Sequence, residues 1–119
     1  MLLTMLKCKL HRATVTECDL NYEGSISIDA NLIEACGLLI NERVEIYNID
    51  NGERFATYVI EGKKGSGGIG LNGAAARKAC TGDKLIICAY AAMKPDKARE
   101  FKPTVIVLGK DNKVQEVKA

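Results

Sequence analysis

The sequence predicts a mainly β protein, a small closed barrel with short helices. Several short segments combine apolar alternation, or a continuous apolar run, with turn residues at their ends, as strands do. Helical spacing is confined to two short stretches, residues 30–36 and 74–80. Because strands and helices do not alternate along the chain, the pattern favours a barrel over a layered α/β sheet.

Length and charge allow one domain, residues 1–119, and exclude several partners. A chain of this size buries about two-thirds of its unfolded surface. The 17 basic and 15 acidic residues give a formal charge of +2 and form no long block of one sign, so nucleic acid and membrane surfaces are not favoured partners. The longest apolar run, residues 85–93, is too short for a bilayer, and lysines interrupt the N-terminus before a signal-like segment develops. We expect a cytoplasmic protein.

The cysteines indicate neither a disulfide framework nor a metal site. There are five, an odd number, and no two of them form a Cys-x-x-Cys pair. We expect them to be small buried apolar residues. Cys8 and His11 have Cys-x-x-His spacing, but no further ligands stand nearby in the sequence. We therefore predict no metal.

The first part of the chain alternates and then changes phase. From residue 5 to 19 apolar and polar residues alternate as in a half-buried strand, but the phase slips, which predicts a bulge near His11 or Arg12. A second short strand is predicted over residues 25–29. Asp29 can cap the following helix, which Gly37 ends.

The middle of the chain predicts a hairpin. Residues 43–49 and 54–61 read as strands on either side of Asn51-Gly52, a strong hairpin signal. In the second strand Arg54, Ala56 and Tyr58 should share one face and Thr57 the other, because side chains alternate along a strand.

A glycine-rich stretch, residues 62–73, precedes the predicted helix 74–80. Gly65, Gly67 and Gly70 match the G-x-G-x-x-G spacing of dinucleotide-binding loops, but the strand-to-helix context is wrong. We expect a flexible loop that can cover a site.

The C-terminal third predicts two central strands. Residues 85–93 and 104–108 are near-continuous apolar runs, joined by a connection with one helical turn at residues 95–99. The polar tail from residue 110 is expected to be mobile.

The junction Gly24-Ser25, between two predicted strands, can support self-processing chemistry. A serine hydroxyl can attack the carbonyl that precedes its own nitrogen if the backbone is held in an awkward conformation, which Gly24 would tolerate. Elimination from the resulting ester leaves dehydroalanine at position 25, and this hydrolyses to a pyruvoyl group. Gly-Ser is also a common turn dipeptide, so the pair alone does not establish processing.

Four separated motifs, in the same order along the chain, resemble the bacterial aspartate 1-decarboxylase family. They are Lys9-Leu10-His11-Arg12, YEGS at 22–25, NGERFATY at 51–58 and NGAAA at 72–76. The resemblance spans nearly the whole chain. It implies a six-stranded double-psi β-barrel, a homotetramer with sites between neighbouring subunits, and self-cleavage between Gly24 and Ser25 into a β chain, 1–24, and an α chain, 25–119.

The resemblance also implies the reaction. L-Aspartate would be converted to β-alanine and CO₂ for pantothenate synthesis, with a pyruvoyl group made from Ser25 and with neither metal nor pyridoxal phosphate. The substrate amine would form a Schiff base with that group, and Tyr58 would protonate the carbanion left by decarboxylation. On the residues alone, Tyr58 could equally be a packed barrel aromatic.

Further site residues are carried over from the same resemblance. Lys9 and Arg54 would bind the acidic substrate, since a guanidinium matches a carboxylate in shape and charge. Thr57 and Asn72 would hydrogen-bond near the cleavage site and the intermediate. Backbone contacts to substrate would come from Gly73, Ala74 and Ala75. Without the resemblance, Arg54 would be an ordinary surface cation and the 72–76 segment an ordinary capped helix.

Three features depart from the family pattern. Ile26 stands where relatives often have a small polar or thiol residue, Arg77 where histidine is common, and residues 65–70 are rich in glycine. They leave open the rate of cleavage and the affinity for substrate. The sequence also leaves open whether cleavage needs a maturation partner. The competing interpretation is a barrel of the same fold that never cleaves and binds an anionic ligand or a protein partner.

Overall fold

The computed structural model describes residues 1–118, which form nine strands and two α-helices with two 3₁₀ helices. The strands are β1 (Leu3–Thr14), β2 (Glu17–Asp19), β3 (Ser25–Asp29), β4 (Arg43–Asn48), β5 (Arg54–Gly62), β6 (Ile69–Asn72), β7 (Lys84–Met93), β8 (Thr104–Leu108) and β9 (Val114–Lys118). The helices are α1 (Ala30–Cys36), α2 (Pro95–Glu100) and the 3₁₀ helices Gly73–Lys78 and Lys110–Asn112.

All strands belong to one mixed sheet of order β2-β6-β3-β5-β4-β7-β1-β8-β9. The prediction of a mainly β protein with short helices is confirmed. Within residues 1–118 the sheet has nine strands rather than six, and its two edge strands are not paired with each other, so the sheet is not closed. It does curve, because Thr16, just after β1, exchanges hydrogen bonds with Ile69 of β6 at 2.8–3.1 Å.

The additional strands lie where loops were predicted. Ile69 and Leu71 are fully buried, and their strand pairs antiparallel with β3 and parallel with β2, so the end of the glycine-rich stretch is a core strand. The predicted helix 74–80 is instead a 3₁₀ helix that begins at Gly73. The tail from residue 110 forms a 3₁₀ turn and then β9, which pairs with β8 although its side chains are exposed.

Local predictions in the first half of the chain are confirmed. The register of β1 against β7 shifts between His11 and Ala13, and Arg12 has φ 66°, as a bulge there requires. Helix α1 begins after Asp29, whose carboxylate accepts a hydrogen bond from the Asn31 amide, and it ends at Gly37 with φ 80°.

A single core lies inside the curved sheet. Its largest fully buried side chains are Leu10, Val15, Ile26, Ile28, Val44, Ile46, Val59, Ile69, Leu71, Leu85, Ile87 and Ile106. The prediction for the cysteines is confirmed in part. Cys8, Cys36 and Cys88 are buried, Cys18 is half-buried and Cys80 is exposed.

The glycine-rich loop is held in place rather than free. The Asp29 carboxylate accepts hydrogen bonds from the backbone N–H groups of Gly65 and Gly67 at 2.9 and 2.8 Å, besides its helix cap. The Asn112 side-chain amide donates to the Gly67 carbonyl at 2.7 Å. Burial opposes ionisation of Asp29, but these backbone donors and the Asn31 amide outweigh it and lower the Asp29 pKa. The predicted flexibility of the loop stays a prediction, since these contacts describe a single conformation.

No helix in residues 1–118 is long and apolar enough to cross a membrane.

Candidate active site

Ser25 is the first residue of β3 and its side chain is almost completely buried, with 1% exposed. Its hydroxyl donates to the Glu23 carbonyl at 3.2 Å and accepts from the Asn72 side-chain amide at 3.0 Å. Asn72 is the direct antiparallel partner of Ser25 across β3 and β6. The oxygen of Ser25 is therefore oriented by two hydrogen bonds, one as donor and one as acceptor. This is the geometry of the uncleaved chain.

The glycine that needs its conformational freedom at this junction is Gly73 rather than Gly24. Gly24 does not adopt a positive φ, and the nearest atom a Cβ would meet is the Asn72 carbonyl oxygen at 3.9 Å, an ordinary contact. Gly73 has φ 63° and lies directly against Gly24. The tolerance of Gly24 for an awkward backbone is therefore not called on through a positive φ in the uncleaved chain.

Strand β5 brings Tyr58 and Thr57 next to the strand of Ser25. Val59 pairs with Ile26 in the parallel β3–β5 ladder, so Tyr58 is the β5 residue that precedes this pairing. As predicted, Tyr58 and Thr57 face opposite ways. Tyr58 is exposed on the outer face of the sheet, and Thr57 is half-buried opposite Val44. The tyrosine is thus accessible to a ligand or a partner subunit.

Arg54 and Lys9 form a second group on the outer face. The Arg54 guanidinium stacks over the Tyr47 ring at 3.9 Å from its centroid. Lys9 is the direct partner of Cys88 across β1 and β7. Burial raises the Cys88 pKa, and a hydrogen bond with Tyr90 and the positive charges of Lys9 and Arg54 act against that rise. Arg54 is four residues before Tyr58, about 13 Å along an extended strand.

Two tyrosines extend this group and were not predicted from the sequence. The Tyr47 and Tyr90 hydroxyls are 2.7 Å apart and share a hydrogen bond, which together with burial raises the Tyr90 pKa. Both line a groove of about 460 Å³ on the outer face. The hairpin could have revealed Tyr47, because the pairing of β4 with β5 sets it opposite Arg54. Nothing in the sequence near Tyr90 connects it to this group.

His11 lies on β1, two residues after Lys9. Burial lowers the His11 pKa, and the positive charges of Lys9, Arg12 and Lys118 lower it further. Its Nδ1 atom is buried and has no hydrogen-bond partner in the part of the chain that the structure describes. The neutral imidazole is therefore the favoured form.

A cavity lined by Asn72, the neighbour of Ser25, has the wrong charge for an acidic substrate, although Gly24 and Ser25 do not line it. It measures about 350 Å³, and Tyr22, Ser27 and Asn72 contribute to its lining. Its charged lining residues are three acids and one lysine, namely Glu17, Asp19, Glu61 and Lys63. Within one chain the predicted site residues therefore form two groups, one around Ser25 and one around Arg54, and β5 contributes residues to both.

The remaining predicted positions are accounted for. Ala75 is buried in the 3₁₀ helix after Asn72, whereas Ala74 is exposed. Of the departures from the family pattern, Ile26 is fully buried in the core and Arg77 is exposed on the same 3₁₀ helix. Residues 1–118 contain no group of three or more histidine, cysteine or acidic side chains arranged to hold a metal ion.

Comparison with known proteins identifies the family. A family model described as aspartate decarboxylase matches residues 1–115. The aspartate 1-decarboxylase of Clostridium beijerinckii is 58% identical to this chain, covering 98% of this chain and 94% of its own. The aspartate 1-decarboxylase of Maricaulis maris is 57% identical over 96% of this chain and 94% of its own length. That of Ralstonia nicotianae is 56% identical over 97% of this chain and 96% of its own length. The chain therefore belongs to the aspartate decarboxylase family.

Proposed function

We propose that this protein is a pyruvoyl-dependent aspartate 1-decarboxylase that makes β-alanine and CO₂ for pantothenate synthesis in the cytoplasm. It would become active by cleaving itself between Gly24 and Ser25, giving chains 1–24 and 25–119. The observation that carries the proposal is the buried Ser25 hydroxyl, held by the Asn72 amide and the Glu23 carbonyl beside the bond to be cut. Family membership over nearly the full chain supports the same reaction.

The proposed cleavage joins the Ser25 hydroxyl oxygen to the Gly24 carbonyl carbon. The Ser25 hydroxyl oxygen attacks the Gly24 carbonyl carbon, the carbon–nitrogen bond breaks, and the nitrogen takes the hydroxyl proton, which leaves an ester. Loss of the Ser25 Cα proton and cleavage of the Cβ–O bond then release residues 1–24 with a Gly24 carboxylate. The dehydroalanine left at position 25 tautomerises to an imine, and water replaces its nitrogen as ammonia.

The surroundings of position 25 fit the resulting ketone. The Asn72 amide supplies a hydrogen-bond donor there, which suits a group whose only polar atoms are carbonyl oxygens. Position 25 pairs with Asn72 in the β3–β6 ladder, and the next residue, Ile26, also pairs with Val59 of β5. When present, the pyruvoyl group supplies an electrophile for the substrate amine and an electron sink for decarboxylation.

Protein side chains would perform the remaining tasks. Tyr58, exposed beside β3, would donate the proton that replaces the lost carboxylate. Arg54 and Lys9 would bind substrate carboxylate, and Thr57 would hydrogen-bond near the junction. Backbone groups of the segment after Asn72 would contact the substrate, namely those of Gly73, Ala74 and Ala75.

A complete site requires more than one copy of the chain. Arg54 lies about 13 Å along β5 from Tyr58, and the cavity that Asn72 lines is mainly acidic, so one chain does not present a cationic pocket there. A neighbouring subunit that brings its Arg54 and Lys9 to this cavity would reverse the local charge. We also propose that the protein is a homotetramer with active sites between neighbouring subunits. The core of each subunit would be the six-stranded double-psi barrel. Exposed apolar residues, among them Leu20, Leu39 and Ile40, would be buried by such contacts.

The proposal is tested by assaying the cleaved protein with L-aspartate. Protein that mass spectrometry shows to be cleaved should form β-alanine and CO₂ in equal amounts. Ser25→Ala, purified in the same way, should stay uncleaved and form neither, which controls for contaminating enzymes. Fully cleaved protein that binds aspartate but forms no β-alanine would contradict the proposed reaction.

A further inference from the structure

Gly73 combines a left-handed backbone with an unusually close contact to the cleavage junction. Its φ is 63°, and a Cβ at this position would lie 2.7 Å from both the Cα and the N of Gly24 and 2.9 Å from the Tyr22 carbonyl oxygen. All three are backbone atoms. No side-chain rotation could therefore relieve the contact, and any side chain at position 73 must displace the chain that leads into the scissile bond.

Gly67 also combines a positive φ with a close backbone contact, but that contact is to the Asp111 carbonyl oxygen at 2.5 Å, away from the junction. Gly37, Gly52 and Gly82 also have positive φ, but a Cβ at any of them would meet nothing within 4 Å. Their dihedral alone accounts for glycine. Gly73 is buried, and the atoms it would displace belong to the reacting segment.

The two reacting groups are held by different means. Ser25 begins the β3–β6 ladder and its hydroxyl is bound by Asn72, whereas Gly24 precedes the strand and lies outside that ladder. Gly73 directly follows Asn72 in sequence. One short segment thus fixes the nucleophile through Asn72 and contacts the residue under attack through Gly73.

We propose that Gly73 is a positioning residue for self-cleavage, because its bare Cα lets Gly24 lie close enough for the Ser25 hydroxyl to reach the Gly24 carbonyl. This inference rests on the self-cleavage proposed above and gives Gly73 a task before any substrate binds. Carbon atoms normally pack at about 3.5–4.0 Å. A methyl group at position 73 must therefore move Gly24 by about 1 Å. Misplacement on that scale costs about 100-fold in rate.

The test compares Gly73→Ala with Gly52→Ala, which adds the same methyl group at a positive φ but in open space. Intact mass of denatured samples follows the cleaved fraction over time, well below the unfolding midpoints measured for the same variants in a Ser25→Ala background. Folded Gly73→Ala should cleave about 100-fold more slowly than wild type, and Gly52→Ala at the wild-type rate. Hydroxylamine would cleave the ester and release residues 1–24 with a hydroxamate at Gly24. It should release less of this fragment from Gly73→Ala than from wild type.

Each outcome decides the matter. Wild-type protein that never cleaves overturns the proposed function, whereas wild type that cleaves together with Gly73→Ala at an equal rate overturns only the role of Gly73. If Gly73→Ala does not fold, Gly73→Asn takes its place, since asparagine tolerates a positive φ and still carries a Cβ. Folded Gly73→Asn that cleaves at the wild-type rate also overturns the role. If neither variant folds, the contact serves the fold in general, and a role specific to cleavage is wrong.

Discussion

Replacing Asn72 by alanine should slow self-cleavage without stopping it. The Asn72 amide donates to the Ser25 hydroxyl oxygen at 3.0 Å, and both side chains are buried, with 7% and 1% exposed. The hydroxyl keeps the Glu23 carbonyl as its acceptor, so the loss is one neutral hydrogen bond that orients the attacking oxygen. Such a bond contributes about 0.5–1.5 kcal/mol. If that orientation is lost at the moment of attack, cleavage slows about 2- to 12-fold.

Asn48 offers a matched control for this change. It is equally buried, with 3% exposed, and its amide donates to the Asp83 carboxylate at 2.9 Å, away from the junction. Asn48→Ala should lower stability but leave the cleavage rate of folded protein unchanged. Intact mass over a time course, at a temperature where both variants are folded, measures the rates. The reasoning fails if Asn72→Ala cleaves at the wild-type rate, or if Asn48→Ala is slowed as much.

Three further changes separate catalysis, binding and stability. Tyr58→Phe in cleaved protein should lower kcat by about 10²–10⁴ with little change in KM, because only the proton is removed; steady-state turnover at the parental kcat would contradict this role. Arg54→Lys keeps the charge but loses the planar fork and the stacking on Tyr47. In the same assay KM should rise by the factor that corresponds to a loss of about 1.5–3 kcal/mol of substrate-binding free energy. Asp29→Asn leaves a loop N–H without an acceptor and should lower the free energy of unfolding in urea by about 1–3 kcal/mol, whereas exposed Asp96→Asn should not. Hydrogen bonding lowers the folded-state pKa of Asp29. Its contribution to the free energy of unfolding is therefore full above the unfolded-state pKa of about 3.9 and is lost as pH falls through the lower folded-state pKa. The stability of Asp29→Asn should accordingly depend less on pH in acid.

Predictions that depend on local chemistry agree with the structure. Asp29 and Gly37 bound α1 because a carboxylate satisfies free N–H groups at a helix start and a glycine accepts the left-handed turn at its end. The alternation of Arg54, Thr57 and Tyr58 follows from the strand period alone. The bulge after His11 followed from a change of phase.

Predictions that depend on contacts between distant segments were less accurate. Residues 69–72 read as loop because glycines surround a short apolar pair, yet Ile69 and Leu71 complete the core once β2 and β3 lie on either side. A glycine before the 74–76 segment is typical of a close backbone approach, but only the folded chain shows that Gly73 contacts Gly24. The separation of Arg54 from Ser25 likewise depends on the register of β3 against β5, which no local pattern encodes.

Intact mass of the wild-type protein most directly tests the claim that Ser25 converts itself into the reactive group. The protein is purified from cells, incubated in the folded state until the cleaved fraction no longer changes, and then denatured for the measurement. The account predicts two fragments, residues 1–24 and 25–119, the larger lighter by one ammonia than the same fragment with a serine end. Well-folded protein that remains a single uncleaved species would contradict it, and so would a larger fragment that still begins with serine.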